Sequence, residues 1–152
     1  MGKHERKAGD ARRAQAGAPA ASWQFVIERE RAAIGRFNAA MEQALRTSAP
    51  ESALRALQVS LDELLTNVIM HAEQAAGPIR VEVECAADAL DTTIRYVARE
   101  FDPTAWKPVA RNTSVAATRI GGLGIALVRS LMDDFRYSYD DGCNVVRLRK
   151  RC

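Results

Sequence analysis

The chain has too few metal-ligating and disulfide-forming residues to be built around either. Its three cysteines, Cys85, Cys143 and Cys152, form an odd set with no metal-ligand spacing. That excludes a disulfide framework and a cysteine-held metal centre, and predicts free thiols in a reducing compartment. Cys85 and Cys143 fall in strand-like segments and are expected to be buried, whereas Cys152 could link copies into adventitious dimers, so a homodimer stays open. No apolar run is long enough to cross a bilayer. The basic N-terminus reaches Ala18-Pro19-Ala20-Ala21, which resembles a cleavage site, but no apolar signal segment precedes it. A cytoplasmic protein without membrane contact is expected. Neither charge sign dominates. The net charge of +3, part of it in the tail, gives little support to a nucleic-acid partner. There is no internal repeat.

What is present fits an ordinary soluble domain: 152 residues, 47% apolar and 27% charged, enough for one core. Residues 1–22, rich in Ala, Gly, Lys and Arg, carry no large apolar side chain after Met1, so a mobile basic tail is expected ahead of a domain at 23–152. Trp23–Ile27 reads as a first strand and 29–47 as a helix with Ile34, Phe37, Met41 and Leu45 on one face. A second helix spans about 51–76, stopped by Gly77-Pro78. Ile79, Val81, Val83 and Cys85 alternate with Arg80, Glu82 and Glu84, giving a strand with one buried and one wet face. Thr92–Arg99 is its hairpin partner. Residues 104–120 lack periodicity, and so long a loop in a compact domain is usually functional or disordered. A helix from about 123 to 133 precedes a hairpin, Phe135–Tyr139 and Val145–Arg149, turning at Asp141-Gly142. Strands with one wet face imply helices on the other, hence a two-layer α/β sandwich.

The second helix carries the most informative residues. Glu63 and Asn67 stand four apart, so their Cβ atoms lie within about 6 Å on one face. A carboxylate and a carboxamide so placed can share a water or a hard cation such as Mg²⁺. An isolated pair of this kind is usually only a solvated face. Here the helix also has an apolar stripe, Leu54, Leu57, Leu61, Leu64, Leu65, Val68 and Ile69, and His71 extends the polar line by another four residues. Gly121-Gly122-Leu123-Gly124 then precedes an apolar run, and a helix opening there would present bare N–H groups to phosphate. No Gly-Lys-Ser/Thr follows, so this is not a P-loop. The dinucleotide-binding pattern fails too, since no strand plainly precedes the glycines and no acidic residue stands at the right distance.

Glu63-Leu-Leu-Thr-Asn67-Val-Ile-Met-His71, Phe101-Asp102-Pro103, Gly121–Arg129 and Asp141–Leu148 together resemble the ordered motifs of the GHKL ATPases (gyrase, Hsp90, histidine kinase, MutL). Within that superfamily the chain is most similar to bacterial anti-sigma factor serine kinases, over roughly residues 23–150. The resemblance implies a GHKL (Bergerat) sandwich with a mixed, mostly antiparallel sheet and helices on one face. It implies ATP and Mg²⁺ as cofactors, Glu63 as general base toward a substrate serine, and Asn67 as the Mg²⁺-holding residue. Gly122, Leu123 and Gly124 match the second glycine box, where a Cβ would collide with phosphates or the hinge of an ATP lid at 104–120. His71 either faces that lid or caps a neighbour, and Arg119 is either a γ-phosphate ligand or a surface arginine.

One position departs from the pattern. The family's Asp-x-Gly, whose aspartate reads the adenine amino group, is replaced by Tyr96-Val97-Ala98. Period two puts Tyr96 where the aspartate would point, and Ala98 is expected to narrow the same wall. Two functions follow. One is an ATP-dependent serine kinase that phosphorylates a STAS-domain anti-sigma antagonist and sequesters a sigma factor. The other is a nucleotide-blind module that holds such partners without catalysis. A sensor histidine kinase is disfavoured, because the only other histidine, His4, lies in the tail rather than on a dimerising helical hairpin.

Overall fold

Period-two alternation and a bare outer face determine how the sheet is built. In the computed structural model, which describes residues 21–105 and 122–152, Ile79, Val81, Val83 and Cys85 of strand β2 (Ala76–Cys85) turn inward and are buried. They pair on one side with β1 (Ala21–Ile27) and on the other with β3 (Ala89–Val97). Strands β4 (Asp134–Asp140) and β5 (Cys143–Arg151) complete the order β1-β2-β3-β5-β4. All four pairings are antiparallel, which corrects the expected mixed sheet. β3 and β4 do run in the same direction, but β5 folds back between them, so no parallel neighbours arise among the described residues. Asp141 (φ 48°) and Gly142 (φ 79°) make that return. Successive positive φ values are what a two-residue type I′ hairpin turn demands.

Helices α1 (Arg31–Leu45), α2 (Glu51–His71) and α3 (Gly122–Leu131) complete the two-layer α/β sandwich. In α1 the buried residues are Ala33, Phe37, Met41 and Leu45. Ile34 is only half-buried, one position off the expected stripe. Phe37 meets Phe25 of β1 edge to face, with centroids 5.2 Å apart. Helix α2 starts directly after Pro50, with Glu51 favourably placed in its first turn. Leu57, Leu61 and Leu65 lie on its fully buried stripe.

The sequence predicts α2 to about residue 76, yet it stops at His71. Long-range partners take the backbone that would have continued it. The Arg99 N–H donates to the Glu73 carbonyl at 2.8 Å. Arg29 Nε donates to the Gly77 carbonyl at 2.6 Å, and its Nη2 to the Val97 carbonyl at 2.8 Å. β2 therefore begins at Ala76, earlier than alternation alone suggests. β1 likewise begins at Ala21, inside the expected tail; residues 1–20 and most of the expected 104–120 loop lie outside the described residues. Cys85 is buried, Cys143 half-buried and Cys152 exposed, all as free thiols. Among the described residues no helix is long and apolar enough to cross a membrane.

Leu61 has no exposed surface, so Leu61→Ala should lower the unfolding free energy by about 2–5 kcal/mol. Val26, 59% exposed, should tolerate Val26→Ser within about 0.5 kcal/mol. Urea titrations of both variants check this, and equal losses would contradict the core described here.

Candidate functional site

Because α2 packs its leucines on the sheet, its remaining face is turned partly toward α3 and the loop after β3. A cavity of about 430 Å³ opens there, within the range of small-molecule sites. Leu64 and Val68 of α2, Ile94 of β3, Ile125 of α3 and Val146 of β5 give it an apolar inner wall, completed by Tyr96. Asn67, His71, Glu73, Arg99 and Glu100 supply its polar side, and Phe101 and Pro103 border it. Asn67 and His71 thus reach the same cavity, as their spacing predicts, with His71 exposed at its edge.

Glu63 lies beside this cavity, against the start of α3. A methyl group on Gly124 would sit 2.2 Å from Glu63 Oε2 and 3.1 Å from its Cδ. Gly124 is buried because the carboxylate of α2 occupies the space a side chain would need. Among the described residues, the neighbour that a side chain at Gly124 would meet is Glu63. The carboxylate approaches the first turn of α3, where unpaired N–H groups and the positive end of the helix dipole favour negative charge. Gly122 is also buried. Leu123 is 74% exposed and is not among the described lining residues, because helical phase turns it away from α2.

Ala98 is not among the described residues that line the cavity. It is buried in the core cluster, and its carbonyl accepts from Asn144 Nδ2 at 3.2 Å. Arg119 lies outside the described residues.

Asn144 is the residue that sequence reasoning missed. Fully buried on β5, it stands directly opposite Tyr96. Its Nδ2 donates to the Ala98 and Arg99 carbonyls at 3.2 and 3.3 Å. Its Oδ1 accepts from the Phe101 N–H at 3.1 Å and the Tyr137 hydroxyl at 2.7 Å. One carboxamide thereby fixes the segment 98–101, which forms the cavity's rim. Beyond it, Asp102 Oδ1 accepts from the Thr104 N–H at 2.8 Å and its hydroxyl at 2.6 Å, and Arg129 of α3 donates to the Thr104 carbonyl. A signal for Asn144 existed: it is a polar residue in phase with inward Val146 and Leu148.

Burial pushes the Tyr96 phenol well above its ordinary pKa, with Tyr137 adding to the shift and Arg29 opposing it. Tyr96 therefore faces the cavity as a neutral group. Burial lowers the Arg29 guanidinium, and Tyr96 partly offsets this.

The residues present suit a magnesium nucleotide. Among the described residues no cluster of three or more His, Cys, Asp or Glu would hold a metal by itself. A single carboxamide oxygen at Asn67 is nevertheless compatible with Mg²⁺, which keeps waters and takes its other oxygens from phosphates. The apolar wall suits a flat ring.

Residues 27–150 match the model of the histidine kinase-like ATPase domain, and the chain belongs to that family. Its curated relatives include proteins named serine-protein kinase RsbW. That of Listeria innocua is 33% identical over 100 residues, covering 62% of this chain and 64% of the relative. That of Halalkalibacterium halodurans is 24% identical over 90 residues, covering 57% and 56%. The alignment thus spans under two thirds of these relatives' length. The fold superposes on the RsbU and RsbW domains of a Mycobacterium tuberculosis protein with a TM-score of 0.61, at 15% identity, over 89% of this chain and 34% of that one. On the histidine kinase AdeS of Acinetobacter baumannii the TM-score is 0.50, at 13% identity, over 85% and 67%. These superpositions establish the fold.

The Glu63–Gly124 contact makes a prediction independent of activity. Gly124→Ala should be more favourable in a Glu63→Ala background than in the native one, by about 1 kcal/mol, since removing the carboxylate frees the space for the new methyl. Denaturant titrations of the four proteins measure this coupling. Equal effects in both backgrounds would show that Gly124 serves another purpose.

Proposed function

We propose that the protein is an ATP-dependent protein serine kinase of the anti-sigma type, phosphorylating a serine on a STAS-domain antagonist. The observation that carries this reading is the placement of Glu63 and Asn67 on one face of α2, with Glu63 against the bare backbone at Gly124 and Asn67 in the adjoining cavity. The relatives named serine-protein kinase RsbW support it.

In this reading the purine ring enters the apolar wall and the phosphates lie toward Asn67 and the first turn of α3. Bound Mg-ATP supplies the transferable phosphoryl group together with the metal's charge neutralisation. Asn67 offers its carboxamide oxygen to the metal. Glu63, set against the start of α3, accepts the proton of the partner's serine hydroxyl. His71 stands at the cavity's edge, and Arg119 is assigned to the phosphates from the lid. The polar network of Asn144, Asp102 and Arg129 fixes the segment from Ala98 to Thr104 that leads into the lid. The partner is a STAS antagonist, the sequestered target a sigma factor and the setting the cytoplasm.

A specific observation favours a second reading. Tyr96, an uncharged phenol, replaces the aspartate that reads adenine in the family, which suits a binding-only module that holds its partners without catalysis.

Phosphoryl transfer from ATP to a STAS partner tests the first reading. Glu63→Ala should lower the rate by about 10²- to 10⁴-fold while leaving ATP affinity within about threefold of wild type. Asn67→Ala should weaken Mg²⁺-dependent binding. Equal rates in Glu63→Ala and wild type would remove the base assignment. A wild-type protein that neither transfers phosphate nor binds nucleotide would be the binding-only module.

A further inference from the structure

The inner wall of the cavity has one polar side-chain group that joins no hydrogen bond among the described residues. Asn144, opposite Tyr96 in the β3–β5 register, spends both amide hydrogens on the Ala98 and Arg99 carbonyls. It spends both oxygen lone pairs on the Phe101 N–H and the Tyr137 hydroxyl. A carboxamide has no further capacity, so Asn144 positions the wall without reading a ligand. Ile94 and Val146 beside it are apolar. The carboxylates that reach the cavity, Glu73 and Glu100, belong to its exposed side, and Glu73 is paired with Arg99 at 2.8 Å. Tyr96 is different. Its side chain lines the cavity and is only 4% exposed. Among the described residues its hydroxyl joins none of the bonds that tie this wall together.

A ligand combining a flat ring with phosphates has one sensible orientation here. The ring goes to the apolar wall, and the charged groups stay toward Asn67 and the start of α3. The ring's edge then meets the Tyr96 hydroxyl. We propose that Tyr96 is the specificity-determining residue of this pocket and makes it permissive for purines, so that 6-amino and 6-keto nucleoside triphosphates bind alike. This rests on the nucleotide reading above and extends it to the class of base accepted.

The chemistry lies in the hydroxyl. A phenol oxygen accepts a hydrogen bond from an exocyclic amino group, and after rotation of its hydrogen it donates one to a keto oxygen. An ionised carboxylate at the same place only accepts, so it would reward the amino group and repel the keto oxygen. Sites that hydrogen-bond a substrate group reject analogues lacking it steeply. Exchanging an acceptor-only group for one that both donates and accepts removes that penalty. Burial keeps the phenol protonated across the physiological range, so the donor is always available.

Calorimetric titration of the full chain with Mg²⁺ and, in turn, ATP, GTP and ITP tests the proposal. The wild-type affinities should agree within about threefold. Tyr96→Phe should weaken all of them together, by about five- to tenfold, the value of one hydrogen bond. Tyr96→Asp should favour ATP over the 6-keto nucleotides by about tenfold or more. A tenfold preference of the wild type for ATP would overturn the purine-permissive assignment while leaving the nucleotide reading intact. Wild-type affinities in Tyr96→Phe would do the same. Absence of binding by every purine triphosphate would overturn both. Tyr96→Phe keeps the ring and the fold, so the test holds even if a carboxylate is not tolerated at this buried position.

Discussion

A carboxylate pressed against a backbone that carries no side chain is the contact on which the site depends. Glu63 stands on α2, Gly124 in the first turn of α3, and no side chain larger than hydrogen fits between them. The contact fixes how closely the two helices approach, and that spacing sets the cavity beside it. It also brings the carboxylate to a helix N-terminus, where the dipole and unpaired N–H groups stabilise negative charge. The rest of the architecture holds these two helices in place. Leu57, Leu61 and Leu65 seat α2 on the sheet, while Ile125 and Val128 are the buried residues that seat α3.

The opposite wall depends on a second local device. Tyr96 and Asn144 face each other across β3 and β5, one turned to the cavity and the other to the backbone of residues 98–101. Burying an amide is tolerable only when its donors and acceptors are satisfied, and here each has a partner. The consequence is a rigid rim on which Arg99, Glu100 and Phe101 are displayed. The network continues through Asp102 and Thr104 to Arg129, joining the rim to α3. Binding residues on loops are useful when a firm scaffold positions them, and these hydrogen bonds provide the scaffold.

Much of this was readable in the chain because its signals are local. β2 shows clean alternation, one of its faces being bare to solvent. α2 shows its leucine stripe and, on a second face, Glu63, Asn67 and His71 at successive turns. The type I′ turn is written in Asp141-Gly142. What could not be read depends on partners far along the chain. α2 ends early because Arg29 and Arg99 claim carbonyls between Glu73 and Val97. Gly124 is constrained by a residue some sixty positions earlier. Asn144 satisfies groups more than forty residues away. Leu123 looked like part of a glycine-rich binding loop, but the helix that Gly122 begins turns its side chain outward. Ala98 fell on the core side of the wall, where its carbonyl, rather than its methyl group, contributes.

The central claim is that α2, the start of α3 and the Tyr96 wall enclose a single nucleotide site. A crystal structure with a non-hydrolysable ATP analogue and Mg²⁺ tests it most directly. The account predicts the purine ring against Ile94, Val146 and the Tyr96 hydroxyl, the metal on Asn67 Oδ1, and the terminal phosphate facing Glu63. A nucleotide bound elsewhere, a metal without Asn67 in its shell, or a cavity left empty at saturating analogue would contradict it.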